Sequence, residues 1–271
     1  MTKLDLLGKD YYSRESAIKY WSISQYKRFR ECEARALAEL RGGWTDTRDN
    51  TALLVGNYVH SYFESKAAHE EFKAQNDSEM ISTRGTTKGQ LKKDYLVAEQ
   101  MIEALKNDSN FMAIYQGEKE AAITGFLGEV EFKGKIDCLN VERGYFVDIK
   151  TTKGPIDDTI WNREERVRWF EAYGYILQMA AYKTMLEAKY NKPFKPIIYA
   201  VTKETPPDTR AIRIQNVDAM QNELDDLAQN IKHLDDVKKG LEKPKPCGHC
   251  EYCRANQLTQ RVMIFLGDRN D

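Results

Sequence analysis

The chain has 271 residues, of which 41% are hydrophobic and 31% are charged, and its formal net charge is −1. This length is enough for one large domain with a substantial core, and the composition is typical of a folded globular protein. The near-neutral charge excludes a uniformly basic nucleic-acid binder, although it is compatible with a locally basic groove around an acidic site.

The first helix is predicted between Ser22, a suitable N-cap, and the Gly42-Gly43 pair, which stops it. Apolar residues recur between these two points at helical spacing. Cys32 falls on the apolar side of this helix, where it is as compatible with a small core residue as with a metal ligand.

A second helix is predicted from about Thr51. Gly56, His60 and Glu64 are spaced by four and therefore share one face, where a glycine allows a neighbouring backbone or ligand to approach closely. A histidine on a helix is more often structural than a ligand. Beside a pair of carboxylates, however, a neutral imidazole is suited to binding or orienting a metal ion. His60 is therefore a candidate if such a pair lies next to it.

The sequence is polar between residues 75 and 93, which predicts a mobile loop rather than a domain boundary. Basic residues in this stretch are candidates for contacts with DNA phosphates, although they fit an ordinary solvated surface equally well. They are Arg84, Lys88, Lys92 and Lys93. An amphipathic helix is predicted to follow, from Leu91 to Leu105.

Three consecutive strands are predicted after this helix. Glu118 to Thr124 and Glu129 to Leu139 flank a glycine-bounded turn, and a third strand begins at Tyr145 after a turn at Gly144. These strands should form an antiparallel meander. Glu120 on the first strand could reach a site on the other two, but an exposed strand carboxylate is the simpler interpretation.

The second and third strands carry the residues that point most directly to chemistry. A strand has a period of two, so Asp148 and Lys150 share one face while Val147 and Ile149 share the other. The hairpin brings the carboxylate of Asp137 beside Asp148. Two carboxylates can hold Mg²⁺, which polarises a phosphate and activates water, while the lysine positions or activates that water. The alternative is a surface hairpin in which Lys150 only pairs with Asp148.

The segment from Asp157 to Arg168 is charged and aromatic, and we expect it to cover the site or to touch DNA. A long helix is predicted from Trp169 to Tyr190, with Gln178 and Tyr182 on one stripe. An aromatic stripe usually belongs to a core. A buried glutamine needs partners, so Gln178 is a candidate for binding a phosphate or a water. Two further strands precede a helix from Val217 to Lys239.

The sequence shows neither the apolar core of a signal peptide nor a run of the ~18–20 apolar residues that cross a membrane, so we expect a cytoplasmic protein. In that compartment the five cysteines favour metal ligation over disulfides. Cys247, Cys250 and Cys253 lie in an open, proline-containing segment and offer three soft ligands. An iron–sulfur cluster, zinc and empty reduced thiols all remain open, and His249 is a further candidate ligand.

An ordered set of motifs in this chain resembles the RecB-like branch of the PD-(D/E)XK nucleases, and more narrowly the phage-type RecE-like exonucleases. The set is His60, Asp137, Asp148-Ile149-Lys150, Gln178 and Tyr182. Each motif is weak alone, but their order and their placement make the match more specific, and it extends from about residue 22 to 253. The resemblance implies an α/β, restriction-endonuclease-like fold, with a mixed central β-sheet flanked by helices.

The resemblance also implies roles for these residues. Asp137 and Asp148 would bind Mg²⁺ or Mn²⁺ together with His60 and the backbone carbonyl of Ile149. Lys150 would be the catalytic lysine. The remaining two motif residues, Gln178 and Tyr182, would support the geometry of the substrate or the metal ion.

A cysteine pattern is part of the same resemblance. Some RecB-like nucleases use one upstream cysteine and three near the C-terminus to hold a [4Fe-4S] cluster, and Cys32, Cys247, Cys250 and Cys253 match that arrangement. The last two cysteines are closer together here than in the usual pattern. Zinc is therefore the main competitor for this site.

The implied activity is Mg²⁺-dependent exonuclease action on linear duplex DNA in phage-type recombination or repair, beside a single-strand annealing protein and in a homo-oligomer. The alternatives are a repair or CRISPR-adaptation-type nuclease acting on single strands or overhangs, and a catalytically silent DNA-binding scaffold. We expect one nuclease domain over residues 1–271. It would comprise an N-terminal helical part (22–110), a catalytic sheet core (118–215), and a C-terminal helix with a Cys-rich segment (216–271).

Overall fold

The computed structural model describes residue 5 and residues 8–162 and 165–258. Its strands are β1 (Glu118–Leu127), β2 (Val130–Asn140), β3 (Tyr145–Thr152), β4 (Thr159–Asn162), β5 (Glu165–Arg168), β6 (Lys195–Thr202) and β7 (Thr209–Arg213). Five of them form a central sheet in the order β1-β2-β3-β6-β7, and β4 and β5 form a separate hairpin. Within the central sheet β3 and β6 are parallel and the other neighbours are antiparallel. The predicted mixed sheet and its antiparallel meander are therefore confirmed.

Helices cover both faces of this sheet. They are α1 (Arg14–Lys19), α2 (Ile23–Glu31), α3 (Glu33–Arg41), α4 (Thr51–Glu64), α5 (Lys66–Gln75), α6 (Asp77–Met80), α7 (Lys93–Asn107), α8 (Ser109–Ile114), α9 (Trp169–Ala172), α10 (Tyr175–Tyr190), α11 (Val217–Lys239) and α12 (Glu251–Ala255). Short 3₁₀ turns lie at Lys9–Tyr12 and Gly85–Thr87. Among the described residues, no helix is both long enough and apolar enough to cross a membrane.

Two hydrophobic clusters occupy the two faces of the sheet. One packs α2, α10 and α11 against the sheet and contains Phe146 of β3, whereas the other packs α4, α7 and α8 and contains Val147 and Ile149. The alternation along β3 is therefore the one predicted from its period of two. Asp148 and Lys150 consequently lie on the α10 side of the sheet.

Two predicted helices are each broken in the structure. The helix predicted from Ser22 begins there, because the Ser22 hydroxyl accepts a hydrogen bond from the Gln25 N–H. It is interrupted at Cys32, whose extended backbone ends α2 and begins α3. Gly174 likewise adopts a left-handed conformation (φ 64°) between α9 and α10. Apolar periodicity continues across both breaks, which is why the pattern predicted single helices.

Two loop predictions also need correction, and a third segment has a defined structure. The segment predicted as a loop between residues 75 and 93 contains α6, a 3₁₀ turn and an isolated bridge between Ile81 and Leu91. The turn between the first two strands is shorter than predicted, because β1 continues to Leu127. The charged segment before α9 is the β4–β5 hairpin, on which Trp161 is 68% exposed. Its proposed contact with DNA stays a prediction.

Candidate active site

The site lies where two neighbouring strands part. β2 and β3 pair over only three residue pairs, the last of which joins Cys138 and Val147, and beyond that pair β3 remains paired only with β6 and β2 only with β1. We call this divergence the fork. At the fork the Ile149 N–H donates a 2.6 Å hydrogen bond to Asp137 Oδ2. A buried N–H needs an acceptor, and here the carboxylate takes the place of a strand partner, which fixes Asp137 close to β3.

Asp148 occupies the other branch of the fork and is only 2% exposed. It forms an ion pair with Lys150 and accepts a 2.8 Å hydrogen bond from Gln178 Nε2 of α10. Burial raises the pKa of Asp148, with Lys150 opposing that effect. Burial would lower the pKa of Lys150, but the neighbouring Asp148, Tyr175 and Asp137 together outweigh burial and raise it. Lys150 is therefore an ammonium group in this state.

His60 reaches the fork from α4. Its Nδ1 lies 3.1 Å from Asp137 Oδ2. Burial alone would lower the pKa of His60, but the neighbouring Asp137 carboxylate outweighs burial and raises it. His60, which was singled out by its helical spacing, therefore contacts a carboxylate of the site. Glycine at position 56 is not required by close packing, because a Cβ there would lie an ordinary 3.7 Å from Thr151 Oγ1.

Glu120 also belongs to this site, and its prediction as an exposed strand carboxylate is wrong. Its side chain is 15% exposed, and its Oε2 lies 2.9 Å from Lys135 Nζ. Burial and the neighbouring Asp137 raise the pKa of Glu120. A sequence signal could have placed it: the tight turn pairs Leu127 with Val130, and the same register puts Glu120 opposite Asp137.

Sequence reasoning also missed Lys27, which lies on the α10 side of the fork. Lys150 Nζ lies 4.7 Å from the centre of the Tyr175 ring, and Lys27 Nζ lies 5.4 Å from the same ring. Lys27 donates a 2.8 Å hydrogen bond to the Tyr173 carbonyl. Burial and the positive charge of Lys150 lower the pKa of Lys27 to about 8. No local pattern marks Lys27, because only the packing of α2 near α10 brings it to the fork.

The remaining predicted site residues lie in two other places. Tyr182 packs on β2, where a Cβ at Gly134 would lie 2.5 Å from its ring, so that position requires glycine.

The four basic candidates lie between α6 and α7 and in the first residue of α7, and they are all exposed. They are Arg84, Lys88, Lys92 and Lys93. None of the four forms an ion pair within the described ranges, which leaves their charges available to a ligand.

The donor set of the fork fits a hard divalent cation. Asp148 Oδ2 is buried, and its partner among the described residues is the Lys150 ammonium, with which it forms an ion pair rather than a hydrogen bond of ordinary geometry. Carboxylate oxygens are the ligands that Mg²⁺ and Mn²⁺ prefer, and imidazole is an acceptable additional ligand for Mn²⁺ and later transition metals. His60 and Asp137 supply this chemistry together with Glu120, since one donor atom from each lies within 4.8 Å of the other two, and Asp148 lies on the neighbouring strand, paired with Lys150.

A second group of ligand atoms consists of Cys32, Cys247, Cys250 and Cys253, which we call the cysteine set. One sulfur from each lies within 4.8 Å of the other three. Cys32 and Cys253 Sγ are 3.6 Å apart, and Cys247 and Cys253 Sγ are 3.8 Å apart. The set joins the α2–α3 break to the segment around α12. The exposed His249 is not in the set, and its Nδ1 contacts the Cys247 carbonyl instead.

The thiols of this set are suited to binding a metal ion. Burial would raise the pKa of Cys247, but the N–H groups of His249 and Cys250 outweigh burial and lower it to about 6. Burial raises the pKa of Cys32 to about 12, so its proton has to be displaced on binding. Four thiolates around one zinc ion at ~2.3 Å lie roughly 3.8 Å apart, close to the two distances found. A [4Fe-4S] cluster binds each thiolate to a different iron and would hold them further apart.

The mixed sheet, the paired carboxylates at the fork and the adjacent lysine define a PD-(D/E)XK-type nuclease. The family described as "PDDEXK-like domain of unknown function (DUF3799)" matches residues 22–256. The chain belongs to this family.

Comparison with solved structures gives the same class. A protein from Eubacterium rectale, described as a "Putative exonuclease", is similar over 97% of this chain and 97% of its own, with a TM-score of 0.86 and 30% sequence identity. A remote similarity to SSO0001 covers 82% of this chain and 91% of that one, with a TM-score of 0.30 and 14% identity. That remote similarity carries no argument. No curated protein matches the sequence.

Proposed function

We propose that this protein is a divalent-cation-dependent deoxyribonuclease that removes nucleotides from the ends of linear duplex DNA. The observation that carries the proposal is the fork, where Asp137, Asp148 and Lys150 meet at a buried point beside His60. The similarity to a protein described as an exonuclease supports end-dependent action. The RecE-like motif order suggests phage-type recombination or repair as the setting, with a single-strand annealing protein as partner and a homo-oligomer as the active form.

A divalent cation bound by Asp137 and Asp148, with His60 and the Ile149 carbonyl, would polarise the scissile phosphate and lower the pKa of its bound water. Lys150 is protonated in its ion pair with Asp148. It therefore stabilises negative charge on the phosphate and orients the attacking water, rather than acting as a base in the resting state.

Neighbouring residues of the chain orient these groups and bind the substrate. Gln178 holds Asp148 through its 2.8 Å hydrogen bond and so fixes the carboxylate plane. Lys27 supplies a further cation on the α10 side. The exposed basic residues between α6 and α7 are the proposed contacts for DNA backbone phosphates further along the duplex, where their effect would depend on salt.

We further propose that the cysteine set holds a metal centre that joins the two ends of the nuclease core. Two centres are supported by different observations. The sulfur–sulfur distances of 3.6 and 3.8 Å favour a single zinc ion. The C-x₂-C-x₂-C spacing with an upstream cysteine favours a [4Fe-4S] cluster. Anaerobic purification followed by metal analysis and visible spectroscopy separates them, because only the cluster contains iron and absorbs broadly in the visible range.

Digestion of end-labelled linear duplex DNA with Mg²⁺ tests the activity. A covalently closed circle of the same sequence and the corresponding single strand are the comparison substrates. We expect the wild-type protein to degrade the linear duplex and to leave the circle intact, and Lys150→Met to be inactive. Lys189→Met, which removes an exposed lysine at the far end of α10, is the matched control and should retain activity.

Each other result selects an alternative. Cleavage of the circle would make the enzyme an endonuclease. Preference for the single strand would favour the repair-type or CRISPR-adaptation-type alternative. Absence of cleavage in protein whose cysteine set carries its metal would favour a catalytically silent DNA-binding scaffold, and cleavage by Lys150→Met at the wild-type rate would contradict the assignment of the fork as the active site.

A further inference from the structure

A cavity of about 410 Å³ opens at the edge of the central sheet where β3 and β6 begin. β3 and β6 are parallel, and their register pairs Tyr145 with Lys195, so both strands start at this edge. β7 is antiparallel to β6 and ends here, with Arg213 opposite Ile197. The turn before β3, the end of α8 and the start of α11 supply further walls. We call this space the edge cavity.

The interior of the edge cavity is apolar. Its walls include Ile114 of α8, Pro196 and Ile197 of β6, Ile214 after β7 and Met220 of α11. Cavities of this volume with such a lining are typical of sites that bind an apolar group. Because apolar surface that is open to water is unfavourable, a ligand with an apolar side chain would be stabilised by covering it.

The rim of the edge cavity carries charge of one sign. Among the described residues its lining contains four basic residues and no acidic residue. Lys183 Nζ lies 2.7 Å from Glu187 Oε2 and is therefore paired. The other three, Arg143, Lys195 and Arg213, are exposed and form no ion pair within the described ranges. Unpaired cations around an apolar cavity select a ligand that combines an apolar part with several negative charges.

A peptide fits this combination better than a nucleic acid or a lipid does. Bases of a single strand bind by stacking on open aromatic faces. At the cavity, however, Phe194 is only 2% exposed, and Tyr145 is half-buried with its hydroxyl donating to the Gln116 carbonyl. Duplex DNA presents phosphates but no apolar group that could fill the cavity. A fatty acid would fill it but brings a single carboxylate to three unpaired cations.

The open edge of the sheet also suits a peptide. β7 is the last strand of the central sheet, and no backbone hydrogen bond joins its outer edge to another segment within residues 8–162 and 165–258. An exposed strand edge can pair with an extended chain while a neighbouring pocket receives one of its side chains. β7 reaches the edge cavity at Arg213, so a peptide running along this strand would lead into the cavity.

We propose that the edge cavity binds a short acidic segment of a partner protein, which inserts an apolar side chain and places its carboxylates on Arg143, Lys195 and Arg213. This inference goes beyond the proposed nuclease function and does not depend on it. Tyr145 at the cavity and Asp148 at the fork lie on the same strand, separated by about 10 Å of extended chain. A bound segment would therefore attach a partner to the strand that carries the active site without occupying the fork.

Fluorescence anisotropy of a labelled peptide tests the proposal on the full chain, with the metal of the cysteine set in place. The probe is a run of alternating Glu and Asp that ends in Leu and Phe. One control peptide ends in two Ala residues instead, and a second carries Lys in place of every acidic residue. We expect the wild-type protein to bind the probe, the Ala-ended peptide at least about tenfold more weakly, and the Lys peptide not at all.

Two variants act on the rim and on the mouth of the cavity. Arg213→Glu reverses an exposed charge of the rim, and Val217→Asp places a carboxylate at a 68% exposed position of the lining. An acidic residue is well tolerated in the first turn of a helix such as α11. Each variant should bind the probe at least about tenfold more weakly. Lys189→Glu, which makes a similar charge change outside the cavity, and Val217→Thr are the matched controls and should bind as the wild-type protein does.

Thermal unfolding checks that each variant is folded. Equal affinity for the probe and the Ala-ended peptide would overturn the proposal, as would wild-type affinity in either Arg213→Glu or Val217→Asp. Loss of affinity for labelled duplex DNA but not for the probe in Arg213→Glu would assign the rim to DNA. An oligomer that Val217→Asp converts to a monomer, without binding of the probe by the wild-type protein, would assign the cavity to a contact between copies of this chain. Either of these results would also overturn the proposal.

Discussion

The fork and the cysteine set are two groups of candidate metal ligands, and they differ both in donor chemistry and in construction. At the fork the donors are carboxylate oxygens and an imidazole, which are carried by strands of the central sheet and by a helix packed on it. The cysteine set takes four thiols from the two ends of the nuclease core, and Cys32 precedes Cys247 by 215 residues. Carboxylates select hard cations that bind water and phosphate, whereas thiolates select ions that remain bound as structural elements.

This contrast separates two consequences of metal binding. At the fork the groups are positioned by the sheet, so removing the cation should affect chemistry more than folding. At the cysteine set the metal would itself connect α3 to α12, so removing it should affect stability more than chemistry. Mutations at the fork should therefore leave stability nearly unchanged, and mutations in the cysteine set should leave the cleavage rate nearly unchanged.

The largest effect is expected from Asp137→Asn. The substitution keeps the shape of the side chain and an acceptor for the Ile149 N–H, but it removes the negative charge that would bind the catalytic cation. We expect the cleavage rate to fall by about 10³-fold or more, while the metal content of the cysteine set stays at the wild-type level. Steady-state digestion of end-labelled duplex and metal analysis measure the two properties on one sample.

Asp225→Asn is the matched control for this experiment. Asp225 is exposed on α11 and contacts Gln221, well outside the fork. The cleavage rate of Asp225→Asn should equal that of the wild-type protein. A residual rate within tenfold of wild type in Asp137→Asn would mean that the fork does not bind the catalytic cation.

Cys253→Ser tests the other side of the comparison. Cys253 is fully buried and lies nearest to two of the other sulfurs. We expect loss of the bound metal and a fall of roughly 5–10 °C in the unfolding midpoint, with the cleavage rate at 25 °C changed much less. Differential scanning calorimetry and metal analysis provide the measurement.

Cys138→Ala serves as the matched cysteine control. Cys138 is also fully buried, but it packs in the α4-side core and contacts Lys119. This variant should keep its metal. If Cys253→Ser keeps its metal as well, or unfolds at the wild-type temperature, the cysteine set is not a structural metal centre.

Lys238 is a buried lysine of α11, a helix that packs on both α10 and α3. It lies outside both groups of candidate metal ligands, so it tests how a buried titratable group without a metal ion affects stability. Lys238 donates hydrogen bonds to the Tyr20 carbonyl and to Gln25 Oε1. Burial lowers its pKa to about 7, with Asp235 opposing that effect. The unfolded chain therefore binds more protons between pH 7 and the ordinary lysine value, so this group makes the free energy of unfolding rise with pH in that window.

Lys238→Met should remove that rise. Between pH 7 and 9.5 we expect the wild-type protein to gain about 2–3 kcal/mol relative to the variant, as measured by urea unfolding at both pH values. Lys232→Met, at an exposed position of the same helix, should follow the wild-type protein. A parallel pH profile for Lys238→Met would show that Lys238 stays charged in the folded state.

The sequence predicted the parts of the fork that depend on local patterns. The period of two assigned Asp148 and Lys150 to one face of β3, and helical spacing singled out His60. The divergence of β2 from β3 could not be predicted locally, because beyond Val147 β3 pairs only with β6, a strand that begins about 43 residues after the end of β3. The involvement of Lys27 depends on the same long-range packing.

Other differences arise from the backbone rather than from distance along the chain. The register of the β1–β2 hairpin puts Glu120 opposite Asp137, but nothing in the composition of β1 indicates its left-handed backbone. Cys32 interrupts a helix whose apolar period continues past it. Gly174 is different: a glycine is common at helix ends, so that break could have been predicted. The residues hardest to predict are those that bring ligand atoms together.

The smallest expected effect comes from Gln178→Leu, which tests how closely the fork depends on orientation. Gln178 touches Asp148 but offers no charge, and its 2.8 Å hydrogen bond fixes one carboxylate oxygen. Without it Asp148 keeps its ion pair with Lys150 but gains rotational freedom. We expect the cleavage rate to fall about tenfold, close to the ~1.4 kcal/mol of one hydrogen bond to a charged group, with Mn²⁺ stoichiometry unchanged. Gln221→Leu, at an exposed position of α11, should cleave at the wild-type rate. A loss as large as that in Asp137→Asn would mean that Gln178 contacts the substrate directly, whereas no loss would mean that the Lys150 ion pair alone orients Asp148.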